Sequence, residues 1–145
     1  VETQQHYLPM ASAMTNSRNK GLRFELQVAH LIDDELGIKL YRDLEQTRTA
    51  DHGDLISSDP SWPFVIECKR YAKGYLPKDD WWQQVCTASK LVRKIPILVY
   101  KFDRLPIRVR VPISFVQLLK GEHDWRYYTD MDFPTFCYLA REQLA

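Results

Sequence analysis

Long hydrophobic runs are missing from this chain, and their absence removes the first class of protein from consideration. The longest apolar stretches, such as Ile95 to Tyr100, fall far short of the ~20 residues that a membrane-spanning helix needs. No signal-peptide pattern is read at the start either, so the chain is expected to work in the cytosol. Cysteine is scarce: three residues, at 68, 86 and 137, form an odd number without CxxC spacing. That excludes a disulfide framework and a thiolate zinc site, and leaves buried, reduced thiols as the expectation. Glycine numbers only 5, and there is no repeat or low-complexity tract, which excludes fibrous and disordered classes. A dominant charge of one sign is lacking as well, the net charge being +1.

What is present suits an ordinary folded domain. A chain of 145 residues, 45% hydrophobic and 27% charged, is long enough to bury roughly 70% of the surface that it exposes when unfolded. The charge is unevenly divided. Residues 18 to 110 hold 17 Lys or Arg against 13 Asp or Glu, while residues 111 to 145 hold 3 against 5. Local charge decides nucleic-acid binding, and the basic excess lies in the first part. Acids in that part that ligate a metal would leave the surface facing a polyanion more basic still.

The periodicities predict one domain, 16–145, made of a core at 17–112 and a C-terminal extension at 113–145. Residues 1–15 show no period and are set outside the fold, as a disordered arm or as residues foreign to the native chain. Asn16 or Ser17 is positioned to cap a helix reaching about Leu36, with Leu22, Leu26, Ala29 and Ile32 at helical spacing and Gly37 ending it. Glu25 borders that stripe, a costly place for a carboxylate without a partner. Short strands then follow at Ile38 to Arg42, Asp54 to Ser57 and Phe64 to Lys69. A second helix runs from Asp79 or Asp80 to about Arg93, with Trp81, Val85, Ala88, Leu91 and Val92 facing inward, before Pro96 forces an exit. The strands Ile97 to Phe102 and Ile107 to Val111 complete the core, the second with Arg108 and Arg110 on an outer face. Beyond Pro112 a short helix at Ser114 to Lys120 precedes an aromatic segment. Its acidity favours core completion over base stacking.

The chemistry concentrates in Phe64-Val65-Ile66-Glu67-Cys68-Lys69. An apolar strand suddenly presents two charges, and strand geometry sends Glu67 and Lys69 to one face and Cys68 to the other. An isolated pair of this kind reads as an ordinary ion pair. Asp54, at the start of the neighbouring strand, changes the weighing, because a hairpin-like return places its carboxylate beside that of Glu67. Two carboxylates so close repel unless a cation lies between them. A hard ion such as Mg²⁺ takes one or two carboxylates with waters and substrate phosphate. It lowers the pKa of a bound water and neutralises charge on a phosphoryl group, and an adjacent ammonium, here Lys69, stabilises the same charge.

The ordered set consists of Glu25 within Lys20-Gly21-Leu22-Arg23-Phe24-Glu25, then Asp54, then Glu67-Cys68-Lys69, then a helix carrying Gln84. It resembles the PD-(D/E)XK nucleases, and within them the Holliday junction resolvase-like branch of archaea and bacteriophages. The resemblance covers residues 17 to 112. It implies an α/β (mixed α+β), restriction-endonuclease-like αβββαβ core, a central mixed sheet flanked by helices, which is the order that the periodicities give independently. It further implies that Asp54, Glu67 and the backbone carbonyl of Cys68 ligate Mg²⁺ or Mn²⁺, that Glu25 completes the metal site directly or through water, that Lys69 is the catalytic lysine, and that Gln84 is the active-site helix glutamine. Gln84 reads equally well as a core amide. His52-Gly53 stands where the superfamily name places a proline, which leaves Asp51 beside Asp54 as a candidate ligand. Asp54 is preferred because Leu55 and Ile56 continue it into a strand.

Around this centre Arg18, Lys20, Arg23, Gln46, Arg48, Arg70 and Lys73 are candidate contacts to a DNA backbone, of the kind that positions a duplex without reading it. His52 reads better as an ordinary loop histidine. The expected activity is metal-dependent hydrolysis of DNA phosphodiesters, at four-way junctions by the branch of the family. A restriction- or repair-type nuclease on duplex or ends, and a non-catalytic nucleic-acid-binding module, are the alternatives. Paired cuts in a junction need two catalytic sets, so a homodimer is expected, joined through part of residues 112–145.

Overall fold

A helical period fixes that a segment is a helix but leaves open which way it faces, and the N-terminal helix illustrates both points. In the computed structural model, which describes residues 2–42, 53–117 and 124–145 (2–17 by backbone alone), helix α1 spans Glu2–Leu36. Its buried row is Phe24, Val28 and Ile32, and Leu26 stands 49% exposed. The expected stripe through Leu22 and Leu26 is thus rotated, because the bulkier row meets the sheet. Gly37, at φ +70°, ends the helix as expected, its N–H donating to the Asp33 carbonyl at 2.8 Å. The helix starts at Glu2 and not at the expected Asn16 or Ser17. Ala, Met, Gln and Leu make up half of residues 2–15 and favour helix intrinsically.

The order α1, β1 (Tyr41–Arg42), β2 (Leu55–Ile56), β3 (Phe64–Tyr71), α2 (Asp79–Val92) and β4 (Ile95–Phe102) is the expected αβββαβ core. β5 (Arg108–Pro112), α3 (Ile113–Gln117), β6 (Tyr128–Asp132) and α4 (Phe133–Leu144) follow. Among the described residues six strands lie in sequence order in one mixed sheet, β3 and β4 parallel and the other neighbours antiparallel. The parallel pair is what requires α2 as its crossover.

Alternation along β3 builds two cores. Phe64, Ile66 and Cys68 pack with α1 and with Phe133 and Phe136 of α4, while Val65 packs on the opposite face with Trp81, Trp82 and Val85 of α2. In α2, Leu91 is 73% exposed, so the inward face runs instead through Trp82, Cys86 and Ser89 beside Trp81, Val85 and Ala88. All three cysteines are buried and outside any disulfide. Burial pushes the Cys86 thiol up to about 12 and the Cys137 thiol up to about 11, which keeps both protonated and inert.

The C-terminal segment completes the core through Phe115, Phe133 and Phe136, all buried, while Tyr127 and Tyr138 stay exposed. The helix expected from Ser114 begins at Ile113, and Lys120 lies outside the described residues. Strand β6 and helix α4, the latter capped by the Asp132 carboxylate accepting from the Thr135 N–H at 2.7 Å, were not expected. β6 corrects a second expectation. Arg110 is not on an outer face but 2% exposed, its guanidinium held by both Asp130 oxygens at 2.9 and 3.2 Å and lying 3.8 Å from the Tyr128 ring centre. The counter-charge comes from a strand that the sequence pattern did not reveal.

Candidate active site

The charges at the end of β3 fall where the pleat puts them. Since Val65 belongs to the α2 face and Ile66 and Cys68 to the α1 face, Glu67 and Lys69 point to the α2 side. Glu67 lines an open cleft of about 570 Å³ between β3 and α2, together with Asp80, Gln83, Gln84, Thr87, Ala88 and Leu91. Gln84 is exposed on that wall. The reading of Gln84 as a buried core amide therefore fails, and its side chain shares the cleft with Glu67.

Asp54 is 7% exposed and is fastened twice to β3. Its N–H donates to the Ile66 carbonyl at 2.8 Å, and its carboxylate Oδ2 accepts from the Cys68 N–H at 2.7 Å. The residue thus straddles the stretch whose middle member is Glu67. Cys68 directs its N–H, and by strand geometry its carbonyl, toward β2 and this carboxylate. Gly53 explains the departure from a proline: it holds φ +72°, and a Cβ there would lie 2.6 Å from the Ile66 carbonyl oxygen. Only glycine lets the chain approach β3 this closely at that angle.

Glu25 sits on α1 with its carboxylate accepting from Arg42 Nε at 2.7 Å, a partly buried pair that ties α1 to β1. Arg42 is thus the partner that the sequence called for without naming. Lys20 and Arg70 converge on Asp103, in the turn after β4, at 3.2 and 3.4 Å. Hydrogen bonding from Lys20, then from Arg70, holds the Asp103 carboxyl below its usual range. Arg18, Arg23 and Lys73 are exposed. Gln46, Arg48, Asp51 and His52 lie outside the described residues. Asp80, on the cleft wall, and Asp103, between Lys20 and Arg70, carry no signal in the sequence beyond that of a helix cap and a solvated turn charge.

Among the described residues no three His, Cys, Asp or Glu side chains form a metal-holding group. The ligands expected from the sequence, the Asp54 and Glu67 carboxylates and the Cys68 carbonyl, would offer oxygen alone. That chemistry fits Mg²⁺ or Mn²⁺, which complete their shells with water and phosphate.

An αβββαβ core with an aspartate leading β2 and a Glu-x-Lys in the second half of β3 defines the PD-(D/E)XK nuclease class. The family described as "Phage putative PDDEXK endonuclease" matches residues 16–134, and the chain belongs to that family. Among solved structures the chain is similar to Archaeoglobus fulgidus Hjc, a Holliday junction resolvase from an archaeal hyperthermophile. The identity is 20%, with 81% of this chain and 87% of that chain covered, at a TM-score of 0.46. No curated protein matches the sequence. No helix among the described residues is long and apolar enough to cross a membrane.

Proposed function

We propose that this protein is a metal-dependent endonuclease that hydrolyses DNA phosphodiester bonds, with Mg²⁺ or Mn²⁺ as its cofactor and branched DNA such as a four-way junction as its substrate. The carrying observation is the double anchoring of Asp54 astride Ile66 and Cys68, which holds its carboxylate next to the strand position of Glu67. Asp54, Glu67 and the Cys68 carbonyl would hold the ion, with Glu25 reaching it through water. The ion would supply an acidified water and charge neutralisation at the phosphate. The chain's own residues do the positioning. The Lys69 ammonium, on Glu67's face, stabilises charge growing on the phosphoryl oxygens and orients the attacking hydroxide. Gln84 offers an amide across the cleft to the attacking water or to the phosphate. Arg18, Lys20, Arg23, Arg70 and Lys73 hold the backbone, and Gln46 and Arg48 are assigned to it by sequence.

Labelled four-way junction, Y-fork, duplex and single strand, incubated in Mg²⁺, test this reading. Cleavage is expected with Mg²⁺ or Mn²⁺ and fastest on the junction. It should stop in excess EDTA, while Ca²⁺ should support binding with little cleavage because its looser shell positions water poorly. Full activity in EDTA overturns the metal mechanism. Equal rates on duplex and junction assign the protein to restriction- or repair-type nucleases instead.

Paired cuts also require two copies, and we assign the contact to part of residues 112–145, where Tyr127, Tyr128 and Tyr138 are 59%, 38% and 60% exposed. Light scattering is expected to give a dimer. A monomer both free and junction-bound removes this part alone.

A further inference from the structure

The connection from β3 to α2 joins the two walls of the cleft, and its surface is not what a plain connector needs. Tyr71, Tyr75 and Leu76 are exposed by 43%, 74% and 58% within a few residues of each other. Single exposed apolar residues are common; a group of them beside a charged cleft calls for a partner. The group is also held in place. The Tyr71 ring stacks on the buried Trp81 ring, with centroids 4.4 Å apart and an interplanar angle of 14°, so its outer face is presented flat and fixed. Gly74, at φ +123°, lies so close to Phe102 that a Cβ would meet the ring at 2.8 Å. Pro77 is buried on the other side of the tip. Tyr75 and Leu76 therefore project from a loop that is pinned on both flanks.

Charge identifies the occupant. Lys69, Arg70, Lys73 and Lys78 flank these apolar groups along the chain; Asp79 and Asp80 follow them, and Asp103, bonded through its N–H to the Tyr71 carbonyl, pairs with Arg70. Flat aromatic faces among cations suit the nucleobases and phosphates of DNA whose bases are unstacked, since every base has a π-face. We propose that the loop from Tyr71 to Lys78 is a base-stacking element: Tyr71 and Tyr75, with Leu76 as an apolar wedge, take up unpaired or unstacked bases next to the bond that is cut. This rests on the DNA-nuclease reading above and adds to it the feature by which this chain prefers branched over continuous duplex.

The test uses the full chain in Ca²⁺ with two probes, a four-way junction carrying 2-aminopurine at its branch point and a continuous duplex carrying it internally. Wild-type protein is expected to change the branch-point fluorescence and to bind the junction more tightly. Tyr75→Ala and Leu76→Ala should each weaken junction binding by about fivefold to a hundredfold, the range for losing one stacked base, and duplex binding by less than about twofold. Tyr75→Trp should keep the preference. Tyr75→Lys should lose it like alanine, although added charge would strengthen a purely electrostatic contact. Thermal melting of each variant checks folding, which exposed positions leave intact. Unchanged junction preference in Tyr75→Ala and Leu76→Ala, with wild type still cleaving DNA, overturns the stacking element and leaves the nuclease standing. So does a dimer that falls apart in Tyr75→Ala while junction preference persists, because the loop then serves a second copy of the chain. Wild type that neither binds nor cuts any DNA overturns both.

Discussion

Glu67→Gln and Lys69→Ala are expected to lower single-turnover cleavage by about 10²–10³-fold or more, with melting temperatures close to wild type. Lys69→Ala removes a positive charge aimed at the phosphate, and Glu67→Gln weakens the hold on the ion that would neutralise it; removal of one such electrostatic contact in a protected site has an effect of about that size. Neither side chain is needed by the core, since Glu67 faces the cleft and Lys69 is only partly buried. Asp54 is a different case because its carboxylate also satisfies the buried Cys68 N–H. Asp54→Ala should therefore lose activity and, in addition, about 1–3 kcal/mol of stability, the cost of an unmet buried donor. Asp54→Asn keeps an accepting oxygen and should lose activity with far less destabilisation. Rates and melting curves on the same purified samples separate the two effects. Wild-type turnover in both carboxylate variants would remove Asp54 and Glu67 from the centre.

Asp130→Ala is expected to destabilise the fold by about 3–5 kcal/mol, which is the usual effect of stripping one partner from a buried ion pair. A domain has only about 5–15 kcal/mol in total. Arg110 is 2% exposed, and it already has one buried nitrogen, Nη1, without a hydrogen-bond partner. Deleting Asp130 strands the remaining charge against the Tyr128 ring. Thermal denaturation should show a fall of about 10 °C or more. The double variant Arg110→Met with Asp130→Leu should recover most of the loss, because apolar replacements of a buried pair are often neutral. A single-variant shift below about 1 kcal/mol would mean that water reaches Arg110 freely.

How much of this was legible in the sequence depends on whether a feature is written locally. The αβββαβ order was, because periods of two and 3.6 alternate cleanly between residues 17 and 112. The common face of Glu67 and Lys69 was legible too, since strand alternation leaves no choice once Val65 and Ile66 are assigned. Phase was not: Leu22 and Phe24 lie on rows that obey the same period, and only the volume meeting β3 decides between them. Leu91 was misplaced in α2 for the same reason. Arg110 failed differently, because whether an arginine on alternate positions is outward or buried depends on β6, a short strand of Tyr, Thr, Asp and Met with weak alternation. Gln84 was undecidable until the cleft was seen, since one helical row can border both a core and a cavity. Gly53 carried a readable signal. A glycine directly before a strand aspartate marks a close backbone approach, and the Ile66 carbonyl is what it approaches.

The clasp of Lys20 and Arg70 around Asp103 bears on how binding would respond to ionic strength. A lysine or arginine that meets a phosphate normally helps to release condensed cations from DNA into bulk solution, and that mixing entropy gives log K its slope of roughly −0.9 per neutralised phosphate. Asp103 is a tethered anion. When a phosphate displaces it, its charge is not lost to bulk but stays within a few ångströms, still repelling the backbone and drawing small cations back to the site. Lys20 and Arg70 would then add to affinity without adding their full share to its salt dependence, and the polyelectrolyte slope would undercount the phosphates that the protein touches.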